Sequence, residues 1–342
     1  MDRVVALDLT SWHGLRTRDP RRLALGTVQW GTPYGVANRS GPPADDELDA
    51  ILRRAWSAGI RTLDTARAYG ESEARLGPRL ADRSCADGWR VITKLDPGVY
   101  TEGQGLEESL ARIAESLAAS REALGQAVLP AFLLHRFAHR HACAGKLWRS
   151  LLAEREAGRI GALGVSATTP EEAWAALEDP DIEILQVASS LLDLRLFRQG
   201  FFPRARELGR TVYVRSVFLQ GVAHLEPDNL PAPLSSLVEP LHRIHATADQ
   251  LGVPPRALFL GFAREYLPGA HLVIGCEREA QLAELLEDWF DERVDGAHLS
   301  RLVEALPTLE AESVDPSRWP RLRPPEEPEN QTPRGSVATI RP

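Results

Sequence analysis

Four side chains able to move protons or hold charge each close a short, mostly apolar run. Asp64 follows Ile60-Arg61-Thr62-Leu63, Lys94 follows Val91-Ile92-Thr93, His135 follows Phe132-Leu133-Leu134, and Arg215 follows Val212-Tyr213-Val214. Thr27, Ser166, Gln186 and Gly275 stand at the corresponding place in four further runs. A carboxylate, an ammonium and an imidazole brought to one point could perform acid–base chemistry on a small molecule. Strand ends also face solvent, so each of these residues taken singly could equally be an ordinary polar rim. A second cluster, His135, His139, His141 and Cys143, has the residue types of a zinc site. His139 and His141 sit in a loop among Arg136 and Arg140, so they read as rim histidines and no metal is assigned.

Positioning such a set requires the elements that carry it. From Leu23 to about Trp289 the chain alternates β-rich runs with longer amphipathic ones, the pattern of a parallel sheet crossed by helices. Eight strands are expected, at 23–28, 60–64, 90–94, 128–135, 160–165, 182–187, 211–215 and 271–275. The helices between and after them are expected at 45–58, 71–81, 106–124, 146–157, 170–177, 196–208, 239–251, 256–266 and 278–289. Thr169-Pro170-Glu171-Glu172 supplies an N-cap, an N1 proline and first-turn acids. Gly59, Gly125, Gly158 and Gly209 stand where helices should stop. Eight consecutive strand–helix units predict an α/β protein of the (β/α)8 barrel (TIM barrel) type, whose sites lie at the C-terminal ends of the strands. An open doubly wound sheet is the alternative, although no GxGxxG turn follows the first strand. The reading is a single barrel domain over 23–313. Residues 1–22 form an N-terminal extension, with a strand Val4–Leu9 capping the barrel floor. A Pro-rich, mobile tail spans 314–342, with Trp319 a candidate anchor.

Composition narrows the function classes. The 342 residues are 43% hydrophobic and 26% charged, enough for a large core, and α/β barrels of this length fold as one domain. With 40 Lys+Arg against 48 Asp+Glu the net charge is −8, without the basic footprint of a nucleic-acid binder. Three scattered cysteines, Cys85, Cys143 and Cys276, make neither a disulfide framework nor a zinc module. No apolar stretch approaches the ~18 residues of a membrane span. The expectation is a cytoplasmic protein whose partner is a small molecule rather than nucleic acid or membrane.

The segment Thr62-Leu63-Asp64-Thr65-Ala66-Arg67-Ala68-Tyr69-Gly70-Glu71-Ser72-Glu73-Ala74-Arg75-Leu76-Gly77 resembles the signature of the aldo/keto reductases. Thr93-Lys94, Leu133-Leu134-His135 and Gly164-Val165-Ser166 continue the resemblance in order, over roughly residues 23–290. The opening from Leu25 to Asn38 resembles a bacterial branch of that family often associated with sugar metabolism. The resemblance implies a catalytic tetrad of Asp64, Tyr69, Lys94 and His135. When hydride reaches a carbonyl carbon, charge grows on the oxygen and a proton donor must already be in place. A phenol titrates near ~10, and bringing one toward neutrality takes roughly 4 kcal/mol, about what a single cation at ~4 Å contributes at an effective dielectric near 20. In this reading Tyr69 is the acid, Lys94 the cation and Asp64 its counter-ion, while His135 orients the carbonyl oxygen or relays the proton.

The resemblance also implies a nicotinamide cofactor, since no side chain is a hydride source. Gly26, Thr27, Asp64, Ser166, Gln186, Arg215, Ser216, Gly275, Cys276, Arg278, Gln281 and Glu284 match cofactor-contacting positions. Three departures stand out: Ala167 where the family usually has Asn, Arg215 where a stacking aromatic is common, and no basic residue beside Gln281. Arg278 could replace that missing charge for a 2′-phosphate, while Glu277 would favour a plain ribose, leaving a modest preference for NADP(H) over NAD(H). Trp30, Tyr34, Arg136 and Phe218 are the candidates for the substrate mouth. The leading function is an NAD(P)-dependent oxidoreductase acting on an aldehyde or ketone, of sugar origin or otherwise. The alternatives are a cofactor-binding regulatory subunit and a sugar epimerase that retains its cofactor.

Overall fold

The computed structural model describes residues 17–38, 41–81 and 88–320. The strand expected at Val4–Leu9, Cys85 and the tail beyond residue 320 lie outside the described residues. Eight parallel strands close into a barrel in sequence order: β1 (Leu23–Gly26), β2 (Thr62–Asp64), β3 (Arg90–Lys94), β4 (Leu129–Leu134), β5 (Ile160–Ser166), β6 (Ile184–Ala188), β7 (Thr211–Arg215) and β8 (His271–Gly275). Helices between them form the outer ring: α1 (Val28–Gly31), α2 (Asp45–Ala58), α3 (Ser72–Leu80), α4 (Leu106–Leu124), α5 (Ala142–Glu156), α6 (Pro170–Glu178), α7 (Arg195–Arg198), α8 (Phe201–Glu207), α9 (Val238–Leu251) and α10 (Pro255–Tyr266). After β8 come α11 (Glu279–Phe290), α12 (Gly296–Ala305) and α13 (Ala311–Val314). This is a (β/α)8 barrel, and the open-sheet alternative falls because β1 pairs with both β2 and β8.

The strands are near-continuous apolar runs because both of their faces are covered. Inside the barrel, Ala24, Ile92, Ala131, Leu133, Ala162, Ile184 and Tyr213 pack into a filled lumen, with the Tyr213 ring stacked on His271 at 4.9 Å. Small alanines in the same layer as Tyr213 let it close, so the barrel is a core and not a pore. Outside it, one large apolar cluster joins strands to helices. Thr169 caps α6 in a reciprocal box with Glu172, and Gly59 and Gly125 end α2 and α4 in the left-handed conformation, all as the sequence predicts.

Three stretches depart from expectation. The single helix expected at 196–208 is two short ones, because Gly200 adopts φ 75° and breaks the run between α7 and α8. Helix α5 is kinked in its first turn at Cys143-Ala144-Gly145, all with positive φ, so its regular part starts near Lys146, where the sequence places it. At the other end, Val314 is buried and Trp319 packs against the main core, so the proline-containing stretch begins docked on the barrel. The floor is held by buried Arg22, whose guanidinium donates to the carbonyls of Ala263, Arg264, Leu267 and Ala270. None of the described helices is long and apolar enough to cross a membrane.

Candidate active site

The barrel register brings the strand ends level. Gly26 lies beside both Asp64 and Gly275, Lys94 beside Leu133, and Ser166 beside Gln186. At this end Lys94 Nζ donates to Asp64 Oδ1 at 2.7 Å and to the Thr65 carbonyl at 2.9 Å, and lies 3.5 Å from the Tyr69 hydroxyl. Gln186 Nε2 donates to the same Asp64 oxygen at 2.8 Å. Asp64 and Lys94 are almost fully buried, at 3% and 1% exposed. Burial opposes the Lys94 ammonium, but the Asp64 carboxylate and the Tyr69 oxygen outweigh it and hold its pKa above the usual lysine value. His135 meets the Tyr69 ring edge-on, 5.9 Å between centroids. Burial first, then the positive charges of Lys94, Arg215 and Arg136, push its imidazole down to about 3. It is therefore neutral near pH 7, able to donate or accept one hydrogen bond but not to serve as a standing imidazolium.

Tyr69 is held by its backbone. Gly31 and the Tyr69-Gly70 turn pack so closely that a Cβ on Gly31 would lie 1.8 Å from the Tyr69 carbonyl oxygen, and one on Gly70, at φ 56°, 2.4 Å from that of Gly31. Ser72, just inside α3, hydrogen-bonds Thr27 Oγ1 at 2.6 Å and Thr65 Oγ1 at 3.1 Å, while Glu73 accepts from Thr93 Oγ1 at 2.6 Å and pairs with Arg67. The contiguous motif thus encodes its own scaffold: Asp64, Ser72 and Glu73 each satisfy a buried partner on β3 or just beyond β1 and β2.

A cavity of about 490 Å³ runs from Asp64 and Tyr69 across the barrel mouth to the start of α11. Gly26, Thr27, Asp64, Arg215, Ser216, Gly275, Arg278, Gln281 and Glu284 line it, as do Tyr34 and Phe218. Ser166 ends β5 and Gln186 pairs with it from the middle of β6; both are buried, and neither is among the residues that line the cavity. Several of these side chains are already committed. The Thr27 hydroxyl donates to the Asp64 carbonyl and meets Ser72, leaving its backbone as the lining. Gln281 Oε1 accepts from the Glu277 and Arg278 amides, and Glu284 pairs with Arg256 at 3.3 Å. Cys276 is buried, which pushes its thiol pKa up and keeps it inert.

Two candidates for the substrate mouth fall elsewhere. Trp30 is 1% exposed and turns into the core, where its indole N–H donates to the Cys276 carbonyl at 2.9 Å, a partner that a buried indole requires. Arg136 is exposed just beyond β4, outside the cavity wall. His139 and His141 stack edge-on against Tyr100 and Phe137. Among the described residues no group of three or more His, Cys, Asp or Glu could hold a metal ion. Sequence reasoning missed Gln29, Gln220 and Arg256. Gln29 follows β1 within three residues, a signal that could have found it; its Oε1 is buried without a partner beside the cavity. Arg256 enters from α10, and nothing local in the sequence marks it.

Gly26 and Gly275 are part of the cavity lining, Gln29 Oε1 is buried beside it without a hydrogen-bond partner, and the cavity runs from Tyr69 at one end to the N-terminus of α11 at the other.

Comparison with known proteins gives the same direction. Residues 22–304 match the profile described as the aldo/keto reductase family. The chain is 28% identical over 312 residues to a D-threo-aldose 1-dehydrogenase from a Pseudomonas species, covering 80% of this chain and 93% of the relative. It is 25% identical over 318 residues to a pyridoxal 4-dehydrogenase from Microbacterium luteolum, covering 80% and 90%. Among solved structures, the holo form of an aldo-keto reductase from Bacillus halodurans superposes with a TM-score of 0.67 at 19% identity, over 84% of this chain and 93% of that one. A glycerol dehydrogenase from Gluconobacter oxydans gives 0.63 at 18% identity, over 84% and 93%. At these identities the structural matches speak for the fold.

Proposed function

The chain belongs to the aldo/keto reductase family of oxidoreductases, and from that premise we propose that it interconverts a carbonyl compound and its alcohol with Tyr69 as general acid and base. The observation that carries the proposal is the buried Asp64–Lys94 pair, its ammonium 3.5 Å from the Tyr69 hydroxyl at the edge of the cavity. A nicotinamide cofactor, when bound in the cavity, supplies or accepts the hydride. Tyr69 gives its proton to the carbonyl oxygen in reduction and takes it back in oxidation. Lys94 stabilises the phenolate left behind, and Asp64 and the Thr65 carbonyl keep Lys94 aimed at it. Neutral His135, edge-on to Tyr69, orients the substrate oxygen by a hydrogen bond. Ser166 and Gln186 would hold the carboxamide end, with Gln186 also fixing Asp64.

For the far end we propose NAD(H) over NADP(H), the reverse of the preference expected from sequence. The acids there outnumber the arginines. Glu277 and Glu284 line the cavity and Asp288 neutralises Arg256, while Glu47 Oε1 already accepts from the Glu279 amide at 2.5 Å. Among the described arginines that line this end, Arg256 is paired and Arg278 is left to meet a 2′-phosphate, whereas a carboxylate can accept from a ribose 2′-hydroxyl. Titrating the purified chain with NADH and NADPH by fluorescence, then adding a panel of aldehydes and following reduced nicotinamide by absorbance, tests both readings. Turnover with tighter NADH binding is expected. Cofactor binding without turnover of any carbonyl or alcohol would point to a regulatory subunit, and isomerisation without net cofactor consumption to an epimerase.

A further inference from the structure

Positive charge at the reactive end of the cavity is not balanced. Asp64 is committed to Lys94 and Gln186, so it offers little compensation to other cations. Arg215, at the end of β7 and half-buried in the cavity wall, has only neutral partners: Nη2 donates to the Ala167 carbonyl at 3.1 Å and Nη1 lies 3.4 Å from Ser216 Oγ. The first of these bonds carries the guanidinium from β7 across the end of β6 toward β5, the strand next to β4 and His135. Arg136 follows His135 directly and is exposed. Among the described residues neither arginine has a salt-bridge partner, whereas Arg256, which lines the cavity's other end, is neutralised by Glu284 and Asp288.

A partly desolvated guanidinium with several unused donors is costly unless something anionic completes it. The fork geometry matches a carboxylate or phosphate better than a neutral hydroxyl. Burial is the main cause of the depressed pKa of His135, and the charges of Lys94, Arg215 and Arg136 add to it, so the same field reaches that ring. Resting on the oxidoreductase reading above, we infer that the substrate is a carbonyl compound bearing a carboxylate or phosphate a few bonds from the reacting carbon, gripped by Arg215 and steered by Arg136. In this arrangement the anion is held on the β5–β7 side of the mouth while the carbonyl oxygen lies between Tyr69 and His135.

The test compares matched pairs, 4-carboxybenzaldehyde with benzaldehyde and glyceraldehyde 3-phosphate with glyceraldehyde, on the full chain loaded with NADH. Two readouts are taken: kcat/KM, and binding to the cofactor-loaded protein by fluorescence titration, which needs no turnover. The charged member of at least one pair should be favoured roughly 10-fold or more, and Arg215→Gln should shrink that ratio by about 10- to 100-fold. Preference confined to the carboxylate pair or to the phosphate pair identifies the anion. Arg136→Gln should shrink the ratio only about 2- to 5-fold and mostly at low salt, as befits an exposed charge. Equal binding of charged and neutral members by the wild-type chain overturns the inference. So does an Arg215→Gln variant that weakens NADH binding and both aldehydes alike, which would make Arg215 a cofactor residue. Preferential binding of the anion with no turnover of either aldehyde would leave the anion site standing and remove the oxidoreductase reading instead.

Discussion

The two ends of the cavity are built by different means. At the Tyr69 end, sixteen consecutive residues from Thr62 to Gly77 supply the acid, its turn and the hydroxyls that brace it, and strands β1 to β3 hold them in a buried, mutually bonded set. At the α11 end the lining comes from α10, the β8 loop and α11, and its amides and arginines are mostly engaged by Gln281, Glu47, Glu284 and Asp288. The first end depends on position and tolerates little. The second depends on a balance of charges and can be shifted by one substitution. Chemistry is thus fixed where the chain is locally self-consistent, and selectivity sits where distant segments meet.

The sharpest way to break this contrast is Tyr69→Phe. Turnover should fall about 10²- to 10⁴-fold, the usual worth of a placed proton donor, while the NADH dissociation constant stays within about 2-fold; residual full activity in stopped assays would dismiss Tyr69. Gly31→Ala strikes the scaffold rather than the acid. Its methyl would lie 1.8 Å from the Tyr69 carbonyl oxygen, so a loss of about 1–3 kcal/mol in urea unfolding should accompany a lower kcat. A stable variant of unchanged kcat would show that the turn is not what holds the phenol. At the other end, Glu277→Gln should leave the fold intact and move the NADPH-to-NADH affinity ratio about 3- to 10-fold toward NADPH. Burial already raises the pKa of this carboxyl, which limits the effect. An unmoved ratio in fluorescence titrations would clear Glu277 of any role in selection.

The last test concerns acid. Folded His135 holds no proton until about 3, whereas an unfolded histidine takes one near ~6.5. Between those values the unfolded chain binds the extra proton, so this group's contribution makes stability fall as pH drops through the window. Urea midpoints compared at about pH 7 and about pH 4.5 should differ more for the wild type than for His135→Gln. Identical differences would assign the acid sensitivity to other groups.

The fold was largely legible in the sequence, and so was the grouping of Asp64, Tyr69 and Ser72 in one contiguous stretch, for the same reason. Strands buried on both faces read as apolar runs, helix stops carry glycines, and the Asp64–Tyr69–Ser72 spacing is contiguous, so local pattern and tertiary role coincide. What escaped the sequence depends on remote partners. Trp30 is polar-tipped and follows β1, like a mouth residue, yet the Cys276 carbonyl draws it inward across 246 positions. Gln281 lines the cavity as the sequence suggested, but that its Oε1 is engaged by the Glu277 and Arg278 amides at the start of its own helix was not legible. The segment before Trp319 has a proline-rich composition that argues for loose chain; Trp319 packs as the anchor the sequence suggested, while the burial of Val314 on the barrel carries no such local mark. Arg256 carries no local mark because the α10 helix brings it to the cavity from beyond β7.

The bond from Gln186 to Asp64 joins β6 to β2, elements that are not neighbours in the sheet. It ties two non-adjacent strands through the same carboxylate oxygen that holds Lys94, while strand number and stagger set the diameter of the barrel. A substitution at either end of this tie leaves the buried group at the other end short of a partner, so Asp64 and Gln186 constrain one another although 122 positions separate them in the chain.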